Sequence, residues 1–160
     1  MAKETNKKET ETIKIKGIVR SAFNHTEKND DGTVKSSTNN VHLFPDAELE
    51  DGGDVWGVFD KLYEHTTGKW LPKWYKDKSV IKLKTGYNLP VQIADTDAED
   101  FEQLNEEHDR AILTFDEFVK RGKIGNANVI IKCNVKEQAI YPSAMRVIVD
   151  GEVYDAFKDF

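Results

Sequence analysis

The stretch TIKIKGIVRSAF, Thr12–Phe23, decides the fold class. Ile13, Ile15, Gly17 and Val19 alternate along it with Lys14, Lys16, Ile18 and Arg20. A period of two marks a half-buried strand, because successive side chains point to opposite faces. One face here is apolar and the other is basic, and Gly17 is the candidate for a bulge or bend. NVIIKCNVK (Asn128–Lys136), preceded by Gly122 and Gly125, reads as a second strand, and IYPSAMRVIVD (Ile140–Asp150) as a third. VIKLKTGYNLPVQI (Val80–Ile93) is a strand broken near Gly86 and Asn88-Leu89-Pro90, with a second short strand after the break.

The segments between are polar. Asn24–Asn40 is rich in Asn, Asp, Ser, Thr and Gly and reads as a long loop; Val41–Phe44 is a short strand stopped by Pro45. Asp46–Asp54 is an acidic turn. Val55–Tyr63 and Ile112–Val119 each suit a strand or a short helix. Gly68–Lys78 reads as a loop, and Asp95–Arg110 as an acidic loop with a helical turn or two. Short strands, long loops and no sustained helical period predict an all-β or β-rich chain: an OB-like five-stranded barrel with at most short helices. The expected layout is a disordered arm at 1–11, one domain at 12–150 and an acidic tail at 151–160.

At 160 residues the chain is long enough to bury a core without disulfide or metal. Cys133 is the only cysteine, so no intrachain disulfide can form, in keeping with a reducing compartment. The opening MAKETNKKETE lacks the apolar core of a signal peptide, and no run approaches the roughly 20 apolar residues of a membrane span. The expectation is a soluble, cytoplasmic protein with no membrane partner.

The formal net charge is −6, but a polyanion responds to the local field. Seven lysines fall between Lys61 and Pro90 against Glu64 and Asp77, and six basic residues between Val119 and Val149 against Glu137. The acids gather in Asp46–Asp54, Asp95–Asp109 and the C-terminus.

Catalytic patterns are missing. His25, His42, His65 and His108 show no metal-ligand spacing, and one cysteine makes no zinc site. Asp30-Asp31-Gly32 and Glu50–Asp54 lack the ligand order of a calcium loop. Asp95, Asp97, Glu99 and Asp100 could build a metal-dependent nuclease, but they fall in a polar stretch ill suited to holding carboxylates rigidly. No enzyme activity, cofactor or metal is expected.

Aromatics lie among the lysines instead. Trp56, Phe59, Tyr63, Trp70, Trp74, Tyr75 and Tyr87 all fall between Val55 and Asn88. Single-stranded nucleic acid needs this mixture: bases stack on aromatic rings while lysines follow the phosphates, with little sequence preference. Trp56 and Phe59 have apolar neighbours and read as core. Lys69, Trp70, Lys73, Trp74 and Tyr75, in GKWLPKWYKDK, read as binding residues, with Lys82, Lys84 and Tyr87 beyond them. Lys14, Lys16 and Arg20 on the first strand, and Lys132 and Arg146 on the last two, complete the basic set.

Taken in order, a basic strand (Ile13–Phe23), a Trp- and Lys-rich middle (Trp56–Lys84), KIGNANVIIKCNV (Lys123–Val135) and a last strand ending in Asp150-Gly151 and GEVYDAFKDF resemble the OB-fold single-stranded DNA-binding proteins of tailed bacteriophages. The resemblance implies coating and protection of single strands in phage replication or recombination. It also implies a tail that recruits phage or host replication and recombination proteins, carried here by Asp155, Phe157, Asp159 and Phe160. Lys158 interrupts the acids, and the tail lacks a long Gly/Pro/Ser linker. Rival readings are a protein-interaction or virion component, and a strand-annealing protein or nuclease. Homo-oligomerisation is left open by the sequence.

Overall fold

The alternating run at Thr12–Arg20 lies in one long strand, β1 (Glu11–Lys28), with Ile15 and Val19 fully buried and Lys16 and Arg20 exposed. The computed structural model describes residues 11–86, 89–94, 109–120, 127–136 and 139–149, with the backbone alone for 109–113. After β1 come β2 (Val34–Leu43), β3 (Glu48–Leu49), helix α1 (Val55–Leu62), a 3-10 turn (Gly68–Trp70) and helix α2 (Lys73–Asp77). β4 (Ile81–Thr85), β5 (Val91–Ala94), β6 (Asp109–Leu113), helix α3 (Phe115–Lys120), β7 (Asn128–Lys136) and β8 (Ala139–Ile148) follow. Of the expected arm at 1–11 only Glu11 is described, and it opens β1; of the expected acidic loop Asp95–Arg110 only Asp109 and Arg110 are described, and they open β6; the tail at 151–160 lies outside the described residues.

The sheet runs β4-β2-β1-β7-β8-β5-β6, with β3 paired to β1. β1 is the shared strand. Glu11–Ile18 pairs with β7, from Glu11↔Val135 to Ile18↔Asn128, and Val19–Lys28 pairs with β2. β4 is antiparallel to β2, and β8 to β7, so β4 and β8 run in the same sense; they lie side by side. Five strands thus curl into a half-barrel with the strand order of a partly open OB barrel. β5 departs from β4 after Pro90, which has no N–H for a ladder, and pairs parallel with the far half of β8 (Val91↔Met145 to Ala94↔Ile148). β6 then returns antiparallel on β5. The fold is β-rich and OB-like, with β3, β5 and β6 added to the five barrel strands.

Inside sit Ile15, Val19, Val41, Leu43, Ile81, Leu83, Val129, Ile131, Cys133, Met145 and Val147, all almost fully buried. Cys133 is a small core apolar group, and burial pushes its thiol pKa up. Among the described residues no helix is long and apolar enough to cross a membrane.

One segment differs from the sequence expectation, and two that the sequence leaves open between strand and helix take a definite form. Asn24–Asn40 is no loop but the outer part of a β1–β2 ribbon, turning at Asn29–Thr33 with Gly32 at φ 88°. Polar side chains replace apolar ones as cross-strand glue: Asn24 Nδ2 donates to Asn39 Oδ1 (2.8 Å) and Ser37 Oγ (3.0 Å). Val55–Leu62 is helical because Asp54 caps it, accepting from the Trp56 N–H at 3.0 Å. Ile112–Val119 divides between β6 and α3 at Thr114. There a capping box forms: the Glu117 N–H donates to Thr114 Oγ1 (3.1 Å) and the Thr114 N–H to Glu117 Oε1 (2.9 Å).

Gly17, expected to bulge, keeps its register opposite Val129. Its role is close approach: a Cβ there would sit 2.7 Å from the Ala47 Cβ, beneath the short β3. The bulge falls instead between Val19↔Leu43 and Ser21↔His42, with Arg20 as the extra residue. Replacing Gly17 by Ala is expected to lower stability by about 1–3 kcal/mol through overpacking. A melting point at or above that of the unmodified chain would contradict the close-packing role.

Candidate nucleic-acid interface

The Arg20 bulge inverts the parity of β1. Before it Ile15 and Val19 face inward; after it Ala22 packs on the core and Phe23 is exposed. The outer face of the barrel therefore carries two cross-strand rows: Ser21, His42 and Lys82, then Phe23, Asn40 and Lys84. His42 and Lys82 of the first row and all three residues of the second form one side of a cleft of about 540 Å³. Its floor and far wall are Phe59, Leu62, Tyr63, Pro72 and Trp74 from the helical segment, and Ala139, Ile140 and Tyr141 from the start of β8. It opens where β4 and β8 lie side by side.

The helical wall is an aromatic cluster. Trp74 meets Phe59 edge to face (5.3 Å between centroids) and Trp56 at 6.3 Å; Phe59 stacks on Tyr63, and Tyr63 meets Tyr75 at 4.8 Å. The Trp56 indole N–H donates to the Pro45 carbonyl at 3.0 Å. The Tyr75 hydroxyl donates to Asp60 Oδ1 at 2.6 Å, and that bond, assisted by burial and the Asp60 charge, pushes its pKa up to about 12. Lys78, left-handed at φ 50°, ends α2 and lays its ammonium over Tyr75 (4.8 Å) and Trp56 (5.4 Å). The sequence reading of Gly68–Lys78 as a loop misses the 3-10 turn and α2. These short helices are held mainly by this packing, because helices so short are marginal alone.

His42 sits at the centre of the basic rows. It is half-buried, meets Phe23 edge to face (5.2 Å), and shares a 3.4 Å hydrogen bond with Ser21 Oγ. Burial first, then the charges of Lys82 and Arg20, hold its pKa below the ordinary 6.5.

The sequence-derived residues divide among four places. Trp74, Lys82 and Lys84 line the cleft, and Arg20 lies close enough to act on His42. Lys69, Trp70, Lys73 and Tyr75 are on the turn and α2, outside the cleft lining: Trp70 is 72% exposed beneath Lys69 (5.4 Å), and Lys73 pairs with Asp77 at 3.2 Å. Lys14 and Lys132 face each other across β1 and β7, with Lys16 on the same face of β1 and Glu50 bridging to Lys14 at 3.9 Å. This face is separate from the cleft. Tyr87 and the tail residues Asp155, Phe157, Asp159 and Phe160 lie outside the described residues.

Arg146 needs correcting. It was expected on a binding face, yet it is 1% exposed, in register with Ile130 and Gln92. Its Nε and Nη2 donate to Gln92 Oε1 at 3.0 and 2.8 Å. A guanidinium so placed ties β8 to β5 and is screened from a phosphate. Sequence reasoning missed Phe23, Asn40, His42 and Tyr141. Phe23 was hidden by the bulge and Asn40 by a segment read as loop; His42 falls in a segment read as strand but was taken only as a strand-face residue; Tyr141 was hidden by its distance in sequence from β4.

A second, shallower cleft of about 410 Å³ is lined by Asn24, Thr26, Ser37, Asn39, Gly86, Thr114, Phe115 and Asp116. It brings no lysine or arginine to its walls, so the first cleft is the better anion site.

Two outcomes are expected. Arg146→Ala should cost at least about 1–3 kcal/mol, because Gln92 Oε1 loses its donors, measured by denaturant unfolding; an unchanged midpoint would contradict the buried role. For His42 the folded pKa is depressed, so the unfolded chain binds the proton more readily. Stability should therefore fall as pH drops below about 6.5 toward the lower folded value, and His42→Gln should flatten that fall. Identical pH profiles for both chains would refute it.

Searches against protein-family models, curated proteins and solved structures find no match to this chain.

Proposed function

We propose that this chain binds single-stranded DNA with little sequence preference, and that the cleft between β4 and β8 is where the strand lies. The observation that carries the reading is the placement of Lys82 and Lys84 side by side on one lip of a concave, aromatic-walled groove. Arg20, the extra residue of the bulge, is exposed and near enough to act on His42 in the same rows. Lysines track phosphates; an apolar wall accepts bases; an OB-like barrel offers this outer strand face to oligonucleotides. In line with the phage resemblance, the proposed setting is protection of exposed single strands during phage DNA replication or recombination. Asp155, Phe157, Asp159 and Phe160 would serve there as a hook for partner proteins.

The test is anisotropy of a labelled oligo-dT across a salt series. If roughly five phosphates are neutralised, log K should fall with log salt at a slope near −3 to −4. The double variant Lys82→Ala, Lys84→Ala should weaken binding and reduce that slope by about 1.4, since each lost phosphate contact removes about 0.7. Absence of salt-sensitive binding at about 50 mM salt, where electrostatic binding is strong, would refute the reading.

A further inference from the structure

Not every aromatic ring near the cleft is free to receive a base. Trp74 meets Phe59 edge to face and packs against Trp56. Tyr75 lies beneath Lys78 with its hydroxyl held by Asp60. Trp70 is exposed but does not line the cleft. Phe23 and Tyr141 differ from all of these. Both line the cleft, and they remain 40% and 39% exposed.

Large aromatic side chains contribute most when buried, so leaving two open in one concave site gives up apolar burial. They stand on opposite sides of the seam. Phe23 is on β1, in the row with Asn40 and Lys84; Tyr141 is on β8. The Phe23 and His42 rings meet edge to face at an interplanar angle of 83°, which holds the Phe23 ring in place while the side chain stays 40% exposed. Going round the barrel from Phe23 on β1, through β2 and β4 to the seam with β8 and Tyr141, Lys82 and Lys84 lie on β4.

We infer that the bases of a bound single strand stack on Phe23 and Tyr141, one on each side of the β4–β8 seam, while Lys82 and Lys84 hold the intervening phosphates; the tryptophans serve as the wall. This rests on the single-strand reading above and names the rings that do the stacking, which the density of tryptophan in the sequence assigns elsewhere.

The experiment is binding of labelled oligo-dT to the full chain and to Phe23→Ala, Tyr141→Ala, Phe23→Leu and Trp70→Ala, with melting curves for each. Loss of one stacked base corresponds to about a five- to 150-fold loss in affinity. That loss is expected for Phe23→Ala and Tyr141→Ala. It is also expected for Phe23→Leu, which keeps apolar bulk but has no ring. Trp70→Ala should change affinity by less than about threefold, well below one base stack.

Ultraviolet crosslinking of oligo-dT to the unmodified chain, read by mass spectrometry, should place adducts on the peptides holding Phe23 and Tyr141. This readout does not depend on how the variants fold. If the unmodified chain binds but both Ala variants bind within about twofold of it, the inference fails and the single-strand reading survives. Adducts confined to the Trp70 peptide would likewise overturn it. If the unmodified chain does not bind at all, the single-strand reading itself falls and takes this inference with it.

Discussion

Strand β1 has to serve two partners, β7 up to Ile18 and β2 from Val19 onward, and the extra residue at Arg20 is what lets it turn between them. A bulge increases local twist and bends the strand that carries it. A bend there helps carry β2, and β4 beyond it, round toward β8. With it, five strands curl into a half-barrel, the seam between β4 and β8 becomes a cleft, and Arg20 is pushed out beside His42 and Lys82. The same residue reverses which side chains face outward, so Phe23 leaves the core and joins the outer rows. Fold and candidate site therefore share one cause.

The core of this arrangement is visible in the sequence because it follows from local pattern. Ile81–Thr85 alternates cleanly, Ile13–Val19 alternates as far as Gly17, and Asn128–Lys136 is an apolar run bounded by polar residues; each is a strand with its apolar side buried. Lys82 and Lys84 fall on the outer face for the same reason. The break at Leu89–Pro90 is equally legible, because proline cannot extend the ladder it interrupts. These features rest on local pattern, and local pattern is what a sequence carries openly.

What escaped depends on contacts distant in sequence. The ribbon Asn24–Asn40 is polar throughout, and nothing in its composition separates a loop from two strands joined by Asn and Ser side chains. Gly17 advertises a bulge, but its missing Cβ makes room for Ala47, thirty residues on. Arg146 reads as a surface cation until Gln92 is seen beside it on β5. Trp70 and Trp74 look alike in GKWLPKWYKDK; only the position of Phe59 and Trp56 separates a packed wall from an exposed ring. The capping box Thr114–Glu117 was there to be read, and it marks the boundary between β6 and α3.

The electrostatics also become local in this frame. A chain of net charge −6 presents Lys82 and Lys84 to one concave face, and burial, with the charges of Lys82 and Arg20, holds the His42 pKa down beside them. Lys14, Lys16 and Lys132 lie on another face, with Glu50 beside Lys14. The measurement that tests the central claim most directly is hydrogen exchange of the full chain with and without oligo-dT. The account predicts slowed exchange at Ser21–Asn24, Asn40–Leu43, Ile81–Thr85 and Ala139–Tyr141, with the β1–β7 face around Lys14 and Lys132 unchanged. Protection confined to that face, with the β4–β8 cleft unchanged, would contradict it.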